Sequence, residues 1–182
     1  MKFLEDFEID INALRRPKKW KDNLQESLGN NYEVFLPLMP CGWNAKYIEW
    51  KIWFDKFIPF LEDGLILIGH SQGGIFLAKY LAENNFPKKI KAVFLVAPPF
   101  DDKDRGAEFS LADFVLPESL EKIGNQVEKI FLYHSKDDPV VPFSDQEKYA
   151  AKLPNSEKVI FEDKGHFVLK DFPEIVEKIK GL

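Results

Sequence analysis

Leu65-Ile66-Leu67-Ile68-Gly69-His70-Ser71-Gln72-Gly73-Gly74 is the stretch that decides the fold. Four consecutive apolar residues between Gly64 and Gly69 suit a strand covered on both faces. They run without a linker into a Gly-x-Ser-x-Gly pattern, and then into Ile75, Ala78, Leu81 and Ala82, which are apolar at helical spacing. Strand, sharp turn and helix follow back to back. A serine alcohol is a weak nucleophile and must stand clear of the backbone to meet a base. A tight strand-to-helix turn achieves this but crowds the chain, and glycine at Gly69 and Gly73 is expected to remove the Cβ clashes. The helix start also aims amide hydrogens, that of Gln72 first, at an oxyanion forming beside Ser71. The five-residue pattern alone is weak; the strand before it and the amphipathic helix after it sharpen it.

Working outward, apolar runs of strand length recur at Tyr32–Leu36, Ala92–Val96, Lys129–Tyr133 and Lys158–Phe161. Helical stretches are predicted at 45–61, 72–84, 145–153 and 173–179, the last opening on Pro173 in its first turn. This alternation implies an α/β architecture with a mostly parallel sheet and ligands at the carboxyl ends of its strands. The 182 residues suffice for one domain and hardly for two. The expectation is a single domain over 1–182, with an atypical N-terminal segment at 1–31 and a candidate lid at 98–128.

Composition excludes some classes. A net charge of −5, with no block of Lys or Arg beyond Arg15-Arg16 and Lys88-Lys89, argues against a nucleic-acid partner. No run reaches the roughly 18 apolar residues of a membrane span. The acidic start at Met1–Asp6 is not a signal peptide, and the lone Cys41 allows no internal disulfide. A cytoplasmic address is expected. Neither a metal site nor a cofactor loop is expected, because the three histidines lie far apart and no glycine-rich phosphate loop is seen.

When a strand-turn-helix carries the nucleophile, the acid and then the histidine follow in chain order. His166, in Gly165-His166-Phe167 after the last strand, is the expected base. His134 ends a strand and reads as structural. His70 adjoins Ser71 and leaves the strand in another direction, so it is a poor base for its neighbour. The acid belongs in Lys136-Asp137-Asp138-Pro139-Val140-Val141-Pro142. Both aspartates are available, and Asp138 is favoured over Asp137.

The elbow, the Asp-Pro-Val-Val-Pro loop and the terminal Gly-His-Phe together resemble the small serine hydrolases related to retinoblastoma-binding protein nine and bacterial YdeN, from about Tyr32 onward. The resemblance implies an α/β-hydrolase-type three-layer sandwich and a cofactor-free serine hydrolase acting on a small-molecule carboxylic ester or similar acyl group. By that match Ser71, Asp138 and His166 are nucleophile, acid and base. Members of the family open with an apolar strand ending in a His-Gly or similar loop, which donates a second oxyanion amide. Residues 1–31 show no such pattern, with Phe3, Leu4, Phe7, Ile9 and Ile11 scattered among charges. Tyr32–Leu36 then corresponds to the family's next strand. Two readings follow: a shortened chain, which is favoured, or one in which Pro40-Cys41-Gly42-Trp43 supplies the missing donor. A chain lacking that strand is expected to associate through unpaired edges. The rival class of function is a non-catalytic or impaired interaction protein on a truncated hydrolase scaffold. Trp43, Trp50, Trp53, Phe54 and Phe57 read as core in preference to an acyl pocket.

Overall fold

The computed structural model describes residues 18–103 and 110–182. The readings made on residues 1–17, and residues 104–109 of the candidate lid, lie outside them. Helices are α1 (Leu24–Leu28), α2 (Tyr47–Asp55), α3 (Gln72–Glu83), α4 (Glu121–Gln126), α5 (Ser144–Lys152) and α6 (Pro173–Lys180). Strands are β1 (Leu65–His70), β2 (Ile90–Val96), β3 (Val127–Ser135) and β4 (Glu157–Phe161). The chain divides into two compact units, one of the residues up to Pro37 with Val168–Leu182, the other Leu38–Phe167.

The larger unit holds the sheet, in the order β1-β2-β3-β4 with every pairing parallel. Its runs are apolar on both faces, and both faces are filled, as in a three-layer α/β sandwich. Leu67, Val93, Leu95, Ile130 and Leu132 join one core with the inner sides of α2 and α3. On the other side Phe94 stacks on Phe131 at 4.7 Å, and Tyr133 continues the row. Ladder bonding runs past the strand ends: Ser71 N donates to Val96 O, Ala97 N to Tyr133 O and Lys136 N to Phe161 O, each at 2.8 Å. The loops at the carboxyl edge therefore start from fixed positions.

The aromatic segment divides. Trp50 and Phe54 are buried, with Phe76 packed edge-on against both rings at 5.6 and 5.4 Å. Trp43 and Trp53 are exposed, so the core expectation does not hold for them. The candidate lid is fastened on either side of residues 104–109. Tyr149 Oη donates to Pro99 O at 2.9 Å, and Phe100 N donates to Asp145 Oδ2 at 2.9 Å. Beyond it, Phe114 and Leu120 are each 1% exposed, in the core with α2 and α3.

Tyr32–Leu36 is not a strand, which corrects the sequence reading. It lies in the smaller unit, where the side chain of Gln25 meets its backbone. Gln25 Nε2 donates to Tyr32 O at 2.9 Å, and Val34 N donates to Gln25 Oε1 at 2.9 Å. An amide side chain thus takes the hydrogen bonds that a neighbouring strand would otherwise supply. The rest of this unit joins α1 to α6, with Trp20 edge-on to Phe172 at 5.5 Å and Ile175 and Ile179 buried. Among the described residues, β1 is an edge strand.

Candidate active site

Ser71 sits between β1 and α3 with φ 54° and ψ −122°, a backbone state that an L-residue adopts only under constraint. Such a state costs on the order of 1–3 kcal/mol and persists where its surroundings enforce it. Two glycines make the turn possible. A Cβ on Gly69 would lie 2.7 Å from the Cα of Gly74, and one on Gly74 would lie 2.8 Å from the Cβ of Pro98. Gly73 faces open space. The relief expected from Gly73 therefore comes from Gly74, because α3 turns that position toward the start of the loop after β2.

The structure brings Ser71, Asp138 and His166 together from three different loops. The Ser71 hydroxyl donates to His166 Nε2 at 2.8 Å, and His166 Nδ1 donates to Asp138 Oδ2 at 2.8 Å. This order fixes one tautomer, with the proton on Nδ1 and the lone pair facing the serine. The Asp138 side chain is fully buried, and that of His166 is 12% exposed. The other oxygen of Asp138, Oδ1, accepts from Val140 N at 2.8 Å and Val141 N at 3.0 Å. Burial pushes the Asp138 carboxyl upward, but the hydrogen bonds from His166 and the two amides outweigh it and hold it below the ordinary range.

Asp137 points elsewhere. Its Oδ1 accepts from the Ser135 hydroxyl and, at 2.9 Å, from Gly165 N. The Ser135 hydroxyl, with help from that amide, keeps the Asp137 carboxyl low. Thus the two adjacent acids separate: Asp138 meets the imidazole and Asp137 meets the backbone beside it. His134 is completely buried, and its Nε2 donates to Val141 O at 3.0 Å. Burial pushes its imidazole below the usual value. His70 does not bond Ser71; its Nε2 donates to the carbonyl of His166 at 2.8 Å. Gln72 opens α3, where first-turn amides have no partner within the helix. The Pro40-Cys41-Gly42 loop is tied to α2 by Trp50, whose Nε1 donates to Pro40 O at 2.8 Å. Among the described residues no cluster of metal-ligating side chains occurs, and no helix is long and apolar enough to cross a membrane.

Residue reading did not find the contacts of His70, Ser135 and Asp137 with the loop of His166. Their only signal is position, at the carboxyl ends of β1 and β3, where a parallel sheet gathers its functional loops. Gly74 was visible as a second glycine after the elbow, but its contact with Pro98 depends on tertiary packing.

A constrained serine at a strand-to-helix turn, joined through histidine to a buried aspartate beside a parallel sheet, is the arrangement of an α/β-hydrolase. The chain belongs to the serine hydrolase family, whose model matches residues 13–176. It is similar to serine hydrolase RBBP9 of Rattus norvegicus, at 31% identity over 132 residues, covering 69% of this chain and 68% of that protein. Its fold is similar to that of the ydeN gene product from B. subtilis, with a TM-score of 0.67, 18% identity, and 80% and 79% of the two chains covered. A lipase-esterase related protein from Clostridium acetobutylicum gives a TM-score of 0.55 at 16% identity, covering 84% and 79%. At these identities the two solved structures attest the fold.

Proposed function

We propose that this chain hydrolyses a carboxylic ester or related acyl bond of a small molecule, with Ser71 as nucleophile. His166 takes the serine proton as Oγ attacks the acyl carbon, then delivers it to the departing alcohol. Asp138 holds the productive tautomer and stabilises the imidazolium. The Gln72 amide receives the developing oxyanion at the start of α3. Water then repeats the sequence on the acyl-enzyme and releases the acid. The observation that carries the reading is the relay Ser71 Oγ to His166 Nε2 and His166 Nδ1 to Asp138 Oδ2, both 2.8 Å. The family membership and the similarity to serine hydrolase RBBP9 support the same chemistry. The chemistry calls for no cofactor, and we place the protein in the cytoplasm.

The second oxyanion donor is assigned to the Cys41-Gly42 loop, which has the Trp50 tether behind it and Cys41 at φ 50°. Loss of one such donor typically costs about 100- to 1,000-fold in turnover. The test is labelling by a fluorophosphonate probe together with ester turnover. Labelling of the wild-type chain that disappears in Ser71→Ala supports the reading. Folded protein that neither labels nor turns over esters would favour a non-catalytic interaction role.

A further inference from the structure

The loop that carries His166 is neither helix nor strand; a single turn bond, Phe167 N to Lys164 O at 3.0 Å, closes it, and positive φ values flank the histidine, 50° at Gly165 and 52° at Phe167. An imidazole that must make two 2.8 Å contacts at once needs its backbone held. Three consecutive backbone groups are held by side chains. Lys164 N donates to Ser135 Oγ at 2.9 Å, and Gly165 N donates to Asp137 Oδ1 at 2.9 Å. The His166 carbonyl accepts from His70 Nε2 at 2.8 Å. The Ser135 hydroxyl also donates to Asp137, so the two β3-end anchors brace each other.

Each anchor comes from an element that also supplies a member of the relay. His70 precedes Ser71 at the end of β1, whereas Ser135 and Asp137 precede Asp138 at the end of β3. We propose that His70, Ser135 and Asp137 are positioning residues that fix the Lys164–His166 backbone so that the imidazole spans Ser71 and Asp138. The two strand ends that set the nucleophile and the acid thereby also set the base between them, and a shift of either strand carries the histidine with it. Ser135 and Asp137 meet the backbone of the loop, and the His70 ring also lies against the His166 ring, with centroids 4.9 Å apart. The inference rests on the acyl-hydrolase reading of the same site.

The test uses the full chain and p-nitrophenyl acetate, with His70→Ala, Asp137→Ala and Ser135→Ala beside His70→Gln and Asp137→Asn. Displacing a catalytic group by about an ångström costs up to about 100-fold. Each alanine variant is therefore expected to lower kcat by about 10- to 100-fold, with KM within about twofold. Asp137→Asn keeps an acceptor oxygen for Gly165 N, and His70→Gln keeps a donor nitrogen near the position of Nε2. Both are expected to recover most of the loss, which a merely structural role would not predict. A second readout needs no turnover: the downfield proton NMR signal of His166 Nδ1–H is expected to broaden or vanish in the alanine variants and return in the conservative ones. Alanine variants that fold and keep wild-type kcat and that signal would overturn the proposal while leaving Ser71 as nucleophile. Turnover that survives Ser71→Ala would overturn the relay, and the positioning role with it. Should one alanine variant fail to fold, the other two still decide: wild-type kcat in both overturns the proposal, and a loss in both supports it.

Discussion

Replacing Asp138 by Asn changes one atom and should nearly silence the site, because the surrounding bonds dictate which way the amide faces. Oδ1 accepts from Val140 N and Val141 N. The new amide oxygen must take that place, since an NH2 group there would confront two N–H donors. Leaving two such donors unmet costs roughly 2–6 kcal/mol; Val140 is exposed enough for water to soften its share, so roughly 2–4 kcal/mol is the better range. The NH2 group is thereby turned toward His166 Nδ1, which now has to accept. The proton moves to Nε2, and the ring presents N–H to Ser71 where it should present a lone pair. At about 1.4 kcal/mol per decade, the orientation alone suppresses the productive form by about 30- to 1,000-fold. The negative charge that would stabilise the imidazolium is also gone. Together these should bring the fall in kcat to about 10⁴-fold, the scale typical of such a change in serine hydrolases. The assay is ester turnover with the fluorophosphonate labelling rate, checked against thermal melting. Asp137→Asn is the control, because Asp137 meets only the Ser135 hydroxyl and Gly165 N and should lose far less. Retention of more than about a tenth of wild-type kcat in folded Asp138→Asn, or a larger loss in Asp137→Asn, would refute the reasoning.

Gly74→Ala should destabilise by about 1–3 kcal/mol, because its Cβ would stand 2.8 Å from Pro98 Cβ, whereas Gly73→Ala meets open space and should be neutral or stabilising by up to about 1 kcal/mol. Thermal melts of the two variants check this, and equal melting would count against the contact. Stability should fall with acid in two stages, read as urea midpoints. His134, whose folded imidazole is pushed by burial below the unfolded value of 6.5, makes the unfolded chain the better proton acceptor as pH drops below 6.5. Asp138, Asp101 and Asp55 have folded values below 3.8, so their contribution is present above 3.8 and is lost as pH falls through those lower values. His134→Gln should flatten the upper stage alone; an unchanged profile would show that His134 does not control it. Finally, β1 is at the edge of the sheet among the described residues, and an open strand edge invites pairing between copies, so light scattering should show concentration-dependent association; a monomer at all concentrations would argue against an open edge.

The elbow was legible because its chemistry is local. A strand, a strained serine and a helix N-terminus are contiguous, and Gly69 stands beside Ser71, where its effect is felt. The chain order of Ser71, Asp138 and His166 was legible for a related reason: a parallel sheet delivers its loops to one edge in an order set by topology. Other features were not local. Tyr32–Leu36 has the composition of a strand, but a strand exists only when another strand takes its hydrogen bonds, and here Gln25 takes two of them. Trp43 and Trp53 have the composition of core, yet they lie on the outer side of a segment whose inner side is occupied by Trp50 and Phe54.

By itself, then, the sequence determined the alternation of strand and helix, the turn at Ser71 and the three loops from which the relay is drawn, since each depends on residues within a few positions of one another. Only the tertiary structure decided how Asp137 and Asp138 divide their roles. Asp138 was already the favoured acid, but two adjacent carboxylates take different roles only when the loop turns one toward an imidazole and the other toward the Gly165 amide 28 residues away. The same holds for His70 and Gly74, whose partners His166 and Pro98 reach them only through the packing of the sheet. Hydrogen bonding and steric exclusion act over about 3 Å, and which residues come within that reach is a property of the folded chain.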